Sequence, residues 1–447
     1  MRPPVPSAAA VRAPTQWRSA VESPVRIDRA WWHAFGDPTL DALVQRALQN
    51  NTNVEVASTR VEEARALLMN DLAQEAPLSS IGLLGGKSQI AFLGRPLVGW
   101  SSVPQVAVSY DLDIFGRLSQ ATSSARATLL AARATRDAIA LAVASTAAST
   151  YITLLGLDAR LATTRETLAS RADALTYAKR RAQSGYTSRL ELNQAEAEYR
   201  ATELLVPAAE LAISQAENAL SVLIGETPHG IDRNRSLDSL QLPAIPDGLP
   251  ASLLRRRPDL VAAEQNLGAN DHALDSSRAA MLPNLSLTGG AGLSLSNLNI
   301  TNPIRLFSLG GSVLSPLFDA GRLRAQSDAA AARRDEAAFA YRAAALTAFR
   351  EVEDGLDAVH RLEQQQLAIQ GEIAALRESL RISTNRYRGG YSPYLDQLDA
   401  QRGLLAAELV SIQLKTDVLN SYITLYRAMG GGWSDDTLVR SASLGSK

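Results

Sequence analysis

Two carboxylates on one helical face are the first candidates for chemistry in this 447-residue sequence. Asp396 and Asp399 lie three residues apart in a helical pattern, and residues at that spacing share one face of a helix. Carboxylates gathered around a narrow opening favour cations, as acidic rings do at the mouths of cation-selective pores. The alternative interpretation is a solvated helix face, and the spacing alone fits both.

Sequence features typical of enzymes are incomplete. Gly85-Gly86-Lys87-Ser88 resembles a phosphate-binding loop, but the position that requires the first glycine is Ile81. There is no cysteine and no Gly-x-Ser-x-Gly motif. The histidines lack metal-ligand spacing; they are His33, His229, His272 and His360. We therefore predict no enzyme, no catalytic or metal-binding residue and no cofactor.

The aspartate pair follows a turn that occurs twice in the chain. Arg181–Leu204 and Arg386–Leu409 align without a gap at a spacing of 205 residues, and 8 of their 24 positions are identical. In each copy a Gly-Tyr turn ends one helix, and Ser188 or Pro393 can begin the next. The match extends upstream, where the spacing becomes 206. Two homologous halves therefore make up nearly all of the protein.

Each half contains the same predicted elements. They are a helix, a strand pair (78–115 or 284–318), a long helix (117–183 or 321–388) and a return helix (188–225 or 393–429). The strands should be about ten residues long, with apolar and polar residues alternating. Pro207 predicts a kink or break in the first return helix.

The strand pattern indicates one face in an apolar medium and the other in water. Two strand pairs cannot close a membrane barrel, because the smallest such barrels have about eight strands. Several chains must then combine, unless the strands form a soluble sandwich stacked on a helical bundle. The uncharged segment Ala138–Leu157 meets the length rule for a transmembrane helix. We reject that interpretation because its copy, Ala343–Leu362, carries several charges.

Composition narrows the partners. With 45 basic and 46 acidic residues, the net charge of −1 gives no electrostatic reason to expect nucleic acid. The N-terminus lacks the layout of a signal peptide, so the chain is either intracellular or already processed, and we favour processed.

Several motifs, in the right order, resemble one family. They are Trp31-Trp32 with Phe35-Gly36-Asp37-Pro38, YDLDIFGR at 110–117, LRRRPDL at 254–260 and the two Arg-x-x-x-Gly-Tyr turns. Over about residues 30–430 the chain resembles the TolC-type outer-membrane efflux channels, especially their multidrug-efflux lipoprotein branch. In LRRRPDL we expect Pro258 to begin a helix and the arginines to satisfy carbonyls or carboxylates.

The resemblance implies a mixed α/β membrane protein, mostly α. A homotrimer would form a twelve-stranded β-barrel, with four strands per chain, continued by a long α-helical barrel in the periplasm. The implied divisions are an N-terminal tail and equatorial segment (1–52), repeat 1 (53–225), an equatorial linker (226–252), repeat 2 (253–430) and a C-terminal equatorial tail (431–447). The implied location is the outer membrane of a Gram-negative bacterium.

The resemblance also implies a function. The protein would be the exit duct of a tripartite efflux pump, passively conducting drugs or other small molecules. Its partners would be outer-membrane lipid, a periplasmic adaptor (membrane fusion) protein and an inner-membrane RND-type transporter. A duct for type I protein secretion or metal efflux is an alternative, and a soluble helical scaffold is one from another class.

The implied sites lie at the two turns. The periplasmic gate would comprise Asp396, Asp399, Tyr387, Glu191 and Gln194. The adaptor would dock on Gly185, Tyr186, Thr187, Ser188, Gly390, Tyr391, Ser392 and Pro393. Two departures stand out: the lipid-bearing cysteine of the lipoprotein branch is absent, and Ser392 stands where some members carry a basic latch.

Overall fold

A computed structural model describes residues 6–18, 28–92, 95–245, 250–297 and 303–433. The chain divides into two compact units. Unit 1 comprises 1–11, 58–134 and 259–344, and unit 2 comprises 12–57, 135–258 and 345–447. The predicted architecture, mostly helical with four strands, is confirmed.

Unit 1 contains a four-stranded antiparallel sheet. The strands are β1 (Leu78–Phe92), β2 (Arg95–Leu112), β3 (Asn284–Ser296) and β4 (Ile304–Leu314), in the order β1-β2-β3-β4. At 15, 18, 13 and 11 residues they are longer than predicted. The glycines and prolines in these strands are typical of loops in a sequence. In the structure they lie within strands that pair with a neighbouring strand. Residues 93–94 and 298–302, between the paired strands, lie outside the described residues.

The register gives this sheet one apolar and one polar face. Ile81 pairs with Val106, Val106 with Ala291, and Ala291 with Phe307, so these residues share a face. The adjacent row on the other face is Gly82, Gln105, Gly292 and Leu306. Further rows on that polar face include Ser109, Thr288, Ser286 and Ser312. The sheet therefore fits between an apolar medium and water.

The two outer strands have unpaired edges. Within the described residues, β1 pairs only with β2, and β4 pairs only with β3. Every residue of β4 is exposed, and Phe307 and Leu309 are 90% and 89% exposed. A long, apolar and unpaired strand is a template for pairing with another chain.

Eight α-helices are described. They are α1 (Pro38–Asn50), α2 (Thr52–Gln74), α3 (Arg117–Gln183), α4 (Arg189–Leu223), α5 (Pro250–Arg256), α6 (Pro258–Ala279), α7 (Arg322–Arg388) and α8 (Tyr394–Ala428). Short 3₁₀ turns occupy Ser7–Ala9, Trp31–Phe35 and Leu237–Ser239. The break predicted at Pro207 is wrong, because α4 continues through it with Thr202 and Ala209 buried on either side. Helix α5 begins inside the predicted linker, where proline had suggested irregular structure.

An aspartate caps the start of each long helix, from positions that differ by one residue in the repeat. Asp113 accepts hydrogen bonds from the backbone N–H groups of Leu118 (3.0 Å) and Ser119 (2.7 Å). Asp319 accepts them from Gly321 (3.0 Å) and Leu323 (2.9 Å). Side-chain oxygens thus satisfy the free N–H groups at the start of α3 and α7.

Unit 2 buries the segment that had raised the question of a transmembrane helix. By length and composition, α3 alone among the described helices could cross a membrane, but half of the apolar window is buried in protein. Tyr151 is fully buried, and its hydroxyl donates a 2.8 Å hydrogen bond to Asp37. That side of α3 is therefore a core face.

The repeat is visible in two glycine contacts of unit 2. Gly225 and Gly430 have φ of 77° and 92°. A Cβ on Gly225 would lie 2.4 Å from the Asn50 carbonyl oxygen, and one on Gly430 would lie 2.1 Å from that of Arg256. Asn50 and Arg256 are the last residues of α1 and α5, so each return helix closes against an equivalent helix end.

The LRRRPDL segment has the predicted structural role. Pro258 begins α6. Arg257 donates to the carbonyl of Ala428 (3.2 Å) and pairs with Glu351 (2.6 Å).

Candidate functional site: the two helix turns

The backbone of the two turns is the same. Gly185 and Gly390 both have φ of 77°, in the left-handed region. The N–H of Tyr186 donates to the carbonyl of Arg181 (2.9 Å), and that of Tyr391 donates to Arg386 (2.8 Å). The N–H groups of Gly185 and Gly390 donate to the carbonyls three residues earlier (3.2 and 3.0 Å), and the two bonds at each turn form the Schellman arrangement that closes a helix. The sequence repeat thus encodes the same helix end twice.

The helix starts after the turns differ. The Ser188 hydroxyl caps α4 by accepting from the N–H of Glu191 (3.3 Å). Pro393 starts α8 without a side-chain cap. The hydroxyls of Thr187 and Ser392, which are equivalent in the repeat, are buried and have no hydrogen-bond partner among the described residues.

Both turns expose the same pair of apolar side chains. Tyr186 and Tyr391 are 77% and 81% exposed. Leu190 and Leu395, one helical turn further on, are 67% and 47% exposed. Exposed apolar groups repeated at equivalent places are typical of surfaces that another protein covers.

A link between side chains lies behind the turns and joins two helical hairpins. The first hairpin is α3 with α4, and the second is α7 with α8. Tyr387 of α7 donates a hydrogen bond to the Glu191 carboxylate of α4. The Arg181 guanidinium of α3 lies 5.3 Å from the centre of the Tyr387 ring, within cation–π range. Tyr387 packs in an apolar cluster with residues of the other three helices, α3, α4 and α8: Leu175, Ala178, Ala195, Tyr394 and Leu398.

The environment of Tyr387 favours its neutral form. Burial, followed by the hydrogen bond and negative charge of Glu191, raises the pKa of Tyr387 well above its usual value. Tyr387 therefore keeps its proton available to Glu191 throughout the physiological pH range.

The two predicted aspartates lie apart from this link. Asp396 and Asp399 are exposed on α8, whereas Tyr394, Gln397 and Leu398 on its other side are buried. Gln194 is half-buried, and its side chain makes no hydrogen bond within the described part of the chain. The structure thus brings Tyr387 and Glu191 together and leaves both aspartates exposed on α8.

Sequence reasoning missed a charge network next to the cluster. The buried Glu198 of α4 pairs with Arg171 of α3 (2.7 Å) and with Arg402 of α8 through Nε (2.7 Å). Burial lowers the pKa of Arg171, and the hydrogen bond that Arg402 donates to Glu198 raises the pKa of Arg402. The available signal was the position of Glu198 on the same helical face as Glu191 and Ala195.

The residues with enzyme-like patterns are in other settings. Gly85, Gly86 and Lys87 lie within β1, paired with β2, and are not followed by a helix. Among the described residues, no group of three or more His, Asp or Glu side chains could hold a metal ion.

Comparison with known proteins identifies the family. A family model described as "Outer membrane efflux protein" matches residues 43–226 and 249–431. The chain is 32% identical over 448 residues to the pyoverdine export outer membrane protein OpmQ of Pseudomonas aeruginosa, covering 97% of this chain and 94% of that protein. It is 32% identical over 409 residues to the toluene efflux pump outer membrane protein TtgI of Pseudomonas putida, covering 90% and 87%.

A solved structure shows the same fold over the whole chain. The open state of the MtrE outer membrane channel of Neisseria gonorrhoeae matches with a TM-score of 0.85 and 28% identity, covering 98% of each chain. This solved channel therefore has the same fold as the four strands, two long helices and return helices described above. The chain belongs to the outer membrane efflux protein family.

Proposed function

We propose that three copies of this chain form a passive, water-filled exit duct of a tripartite efflux pump. The sheet is the observation that carries this proposal, since it has one apolar face, one polar face and two unpaired edges. Three copies of four strands would give a twelve-stranded barrel with its apolar face toward lipid. The helices would continue the lumen into the periplasm.

The two turns supply the proposed docking surface. Their residues, 185–188 and 390–393, carry the exposed Tyr186 and Tyr391, and the leucines that follow enlarge the apolar patch. A periplasmic adaptor would cover this surface and connect the duct to an inner-membrane transporter of the RND type. Repetition at two turns in each of three copies would offer six similar contacts.

The gate is proposed at the same end. Asp396 and Asp399 of three copies would form rings of carboxylates that favour cations. The link from Tyr387 to Glu191 would hold the second hairpin against the first in the closed state. Ser392 offers no charge for a basic latch, so this hydrogen bond and the Glu198 network would serve instead.

The cargo would be small organic molecules and not a substrate for chemistry. Relatives are named for pyoverdine export and toluene efflux, and the two molecules differ widely in polarity. A wide aqueous lumen accommodates such variety because it makes few specific contacts. The duct would catalyse nothing.

Membrane fractionation and planar-bilayer recording test this proposal together. We expect a detergent-stable trimer from the outer membrane that gives cation-preferring conductance steps. A monomer or dimer in the soluble fraction, or a trimer that never conducts, would contradict it.

A further inference from the structure

The outer end of the sheet carries basic side chains on its apolar face. The strands join helices at the end marked by Leu78, Leu112, Asn284 and Leu314, which we call the base. Lys87 of β1 and Arg305 of β4 lie toward the opposite end. In the register, Lys87 is opposite Trp100, Arg305 is opposite Leu293, and both belong to the face of Val106 and Phe307.

The two basic residues are equally far from the helix ends of their strands. Lys87 is nine residues from Leu78, and Arg305 is nine residues from Leu314. Nine residues span about 31 Å along a strand, and a tilt of about 40° leaves about 23 Å of height. That is close to the apolar band of about 25 Å in outer-membrane barrels, so both cations reach its outer boundary.

An aromatic residue marks the same boundary. Trp100 lies on the apolar face directly opposite Lys87 and is half exposed. Its backbone N–H donates a 2.9 Å hydrogen bond to the Asn297 side chain just after β3, which ties β2 to β3 at this level. Tryptophan is enriched where a barrel meets the lipid headgroups.

The two basic side chains have no ion-pair partner among the residues that the structure describes. Both are exposed. The strands contain a single acidic residue, Asp111, which lies near the base and faces Arg117 at 3.5 Å. A cation on the lipid face is unfavourable in the hydrocarbon and is tolerated at the headgroup level.

We propose that Lys87 of one copy and Arg305 of the next form a binding site for the phosphate of an anionic lipid headgroup at the outer rim of the barrel. The inference rests on the proposed trimer, in which the free edge of β1 meets the free edge of β4. Paired strands lie about 4.8 Å apart, so two cations equally far from the base on adjacent strands can share one phosphate. Three such sites would ring the trimer.

Native mass spectrometry of the full-length trimer in detergent tests the site. Phosphatidylglycerol, phosphatidylcholine and inorganic phosphate are the probes, and the variant is Lys87→Gln with Arg305→Gln. We expect the wild type to retain phosphatidylglycerol over phosphatidylcholine. The double variant should weaken phosphatidylglycerol binding about 30-fold, since each basic residue near a membrane surface contributes about fivefold.

The control removes two exposed basic residues outside the sheet, Lys179→Gln with Arg324→Gln, and should leave lipid retention unchanged. Competition by millimolar inorganic phosphate would show a free-anion site and overturn the lipid assignment. Equal retention of the two lipids, or no loss in the double variant, would also overturn it. If the double variant still forms trimers and conducts ions, failure of the lipid site is distinguished from failure of the duct. A monomeric wild type would overturn both the lipid site and the duct.

Discussion

The two turns have the same backbone conformation but differ in their charged side chains. Both close with the same hydrogen bonds and the same left-handed glycine. The first carries Glu191, which is engaged with Tyr387, whereas the second carries Asp396 and Asp399, which are exposed. The first turn thus provides the acceptor of a buried link and the second provides free carboxylates. A repeat can conserve a shape while its copies take different electrostatic roles.

The largest expected effect concerns the glycines that the two copies share. Gly430→Ala should lower the free energy of unfolding by about 3 kcal/mol, from the left-handed φ plus overpacking against the Arg256 carbonyl. Gly390→Ala should cost only about 1 kcal/mol, because a Cβ there meets nothing within 4 Å. Denaturant titration of the solubilised protein measures both. Equal losses would contradict the distinction between crowded and open repeat positions.

The next effect should come from the link that only the first turn makes. Tyr387→Phe removes the hydrogen bond to Glu191, and a hydrogen bond to a charged group contributes about 2 kcal/mol. We expect the open probability in planar bilayers to rise by about tenfold or more. Tyr186→Phe is the matched control, because the Tyr186 side chain is exposed at the first turn. An unchanged open probability in Tyr387→Phe would remove the link from the gate.

The same link predicts the pH response. The pKa of Tyr387 is raised above the ordinary tyrosine value of 10.0, so its contribution is fully present below that pH. It is lost only as the pH rises through the raised value. Closed-state conductance of the wild type should therefore show no tyrosine-dependent increase between neutral pH and 10.0. An increase in that range that Tyr387→Phe abolishes would contradict this.

A smaller effect is expected from the free carboxylates of the second turn. Asp396→Ala with Asp399→Ala should reduce the cation preference of the conductance several-fold, because both carboxylates are exposed on α8. Reversal-potential measurements in a salt gradient give the ratio. Unchanged selectivity and conductance would contradict a role in the gate and favour the alternative interpretation, a solvated helix face.

The smallest effect should distinguish the two helix starts. Ser188→Ala removes the cap of α4 and should cost about 1 kcal/mol. Ser392→Ala removes a hydroxyl without a hydrogen-bond partner among the described residues and should change stability by less than about 0.5 kcal/mol or slightly improve it. Thermal unfolding of the two variants side by side measures the difference. A larger loss in Ser392→Ala would show an unrecognised contact at the second turn.

Local patterns were sufficient to predict most of the elements. The bounds of α3 follow from Gly116-Arg117 and from the Gly185 turn, because helix starts and stops depend on neighbouring residues. Strand lengths were underestimated because Gly85, Gly86 and Pro104 look like loop until a partner strand is present. Of the kink or break predicted at Pro207, the break is wrong, since α4 continues through this residue.

The sequence by itself determined the duplication, the four strands, the long helices and the family, since each is written in spacing and motif. Tertiary structure alone decided that Tyr387 reaches Glu191, that Glu198 joins two arginines and that Lys87 and Arg305 share a face. Those contacts join residues far apart in the chain. The periodicity of a sequence predicts which face of its own helix or strand a side chain occupies. Only packing and strand register determine which residues that side chain contacts.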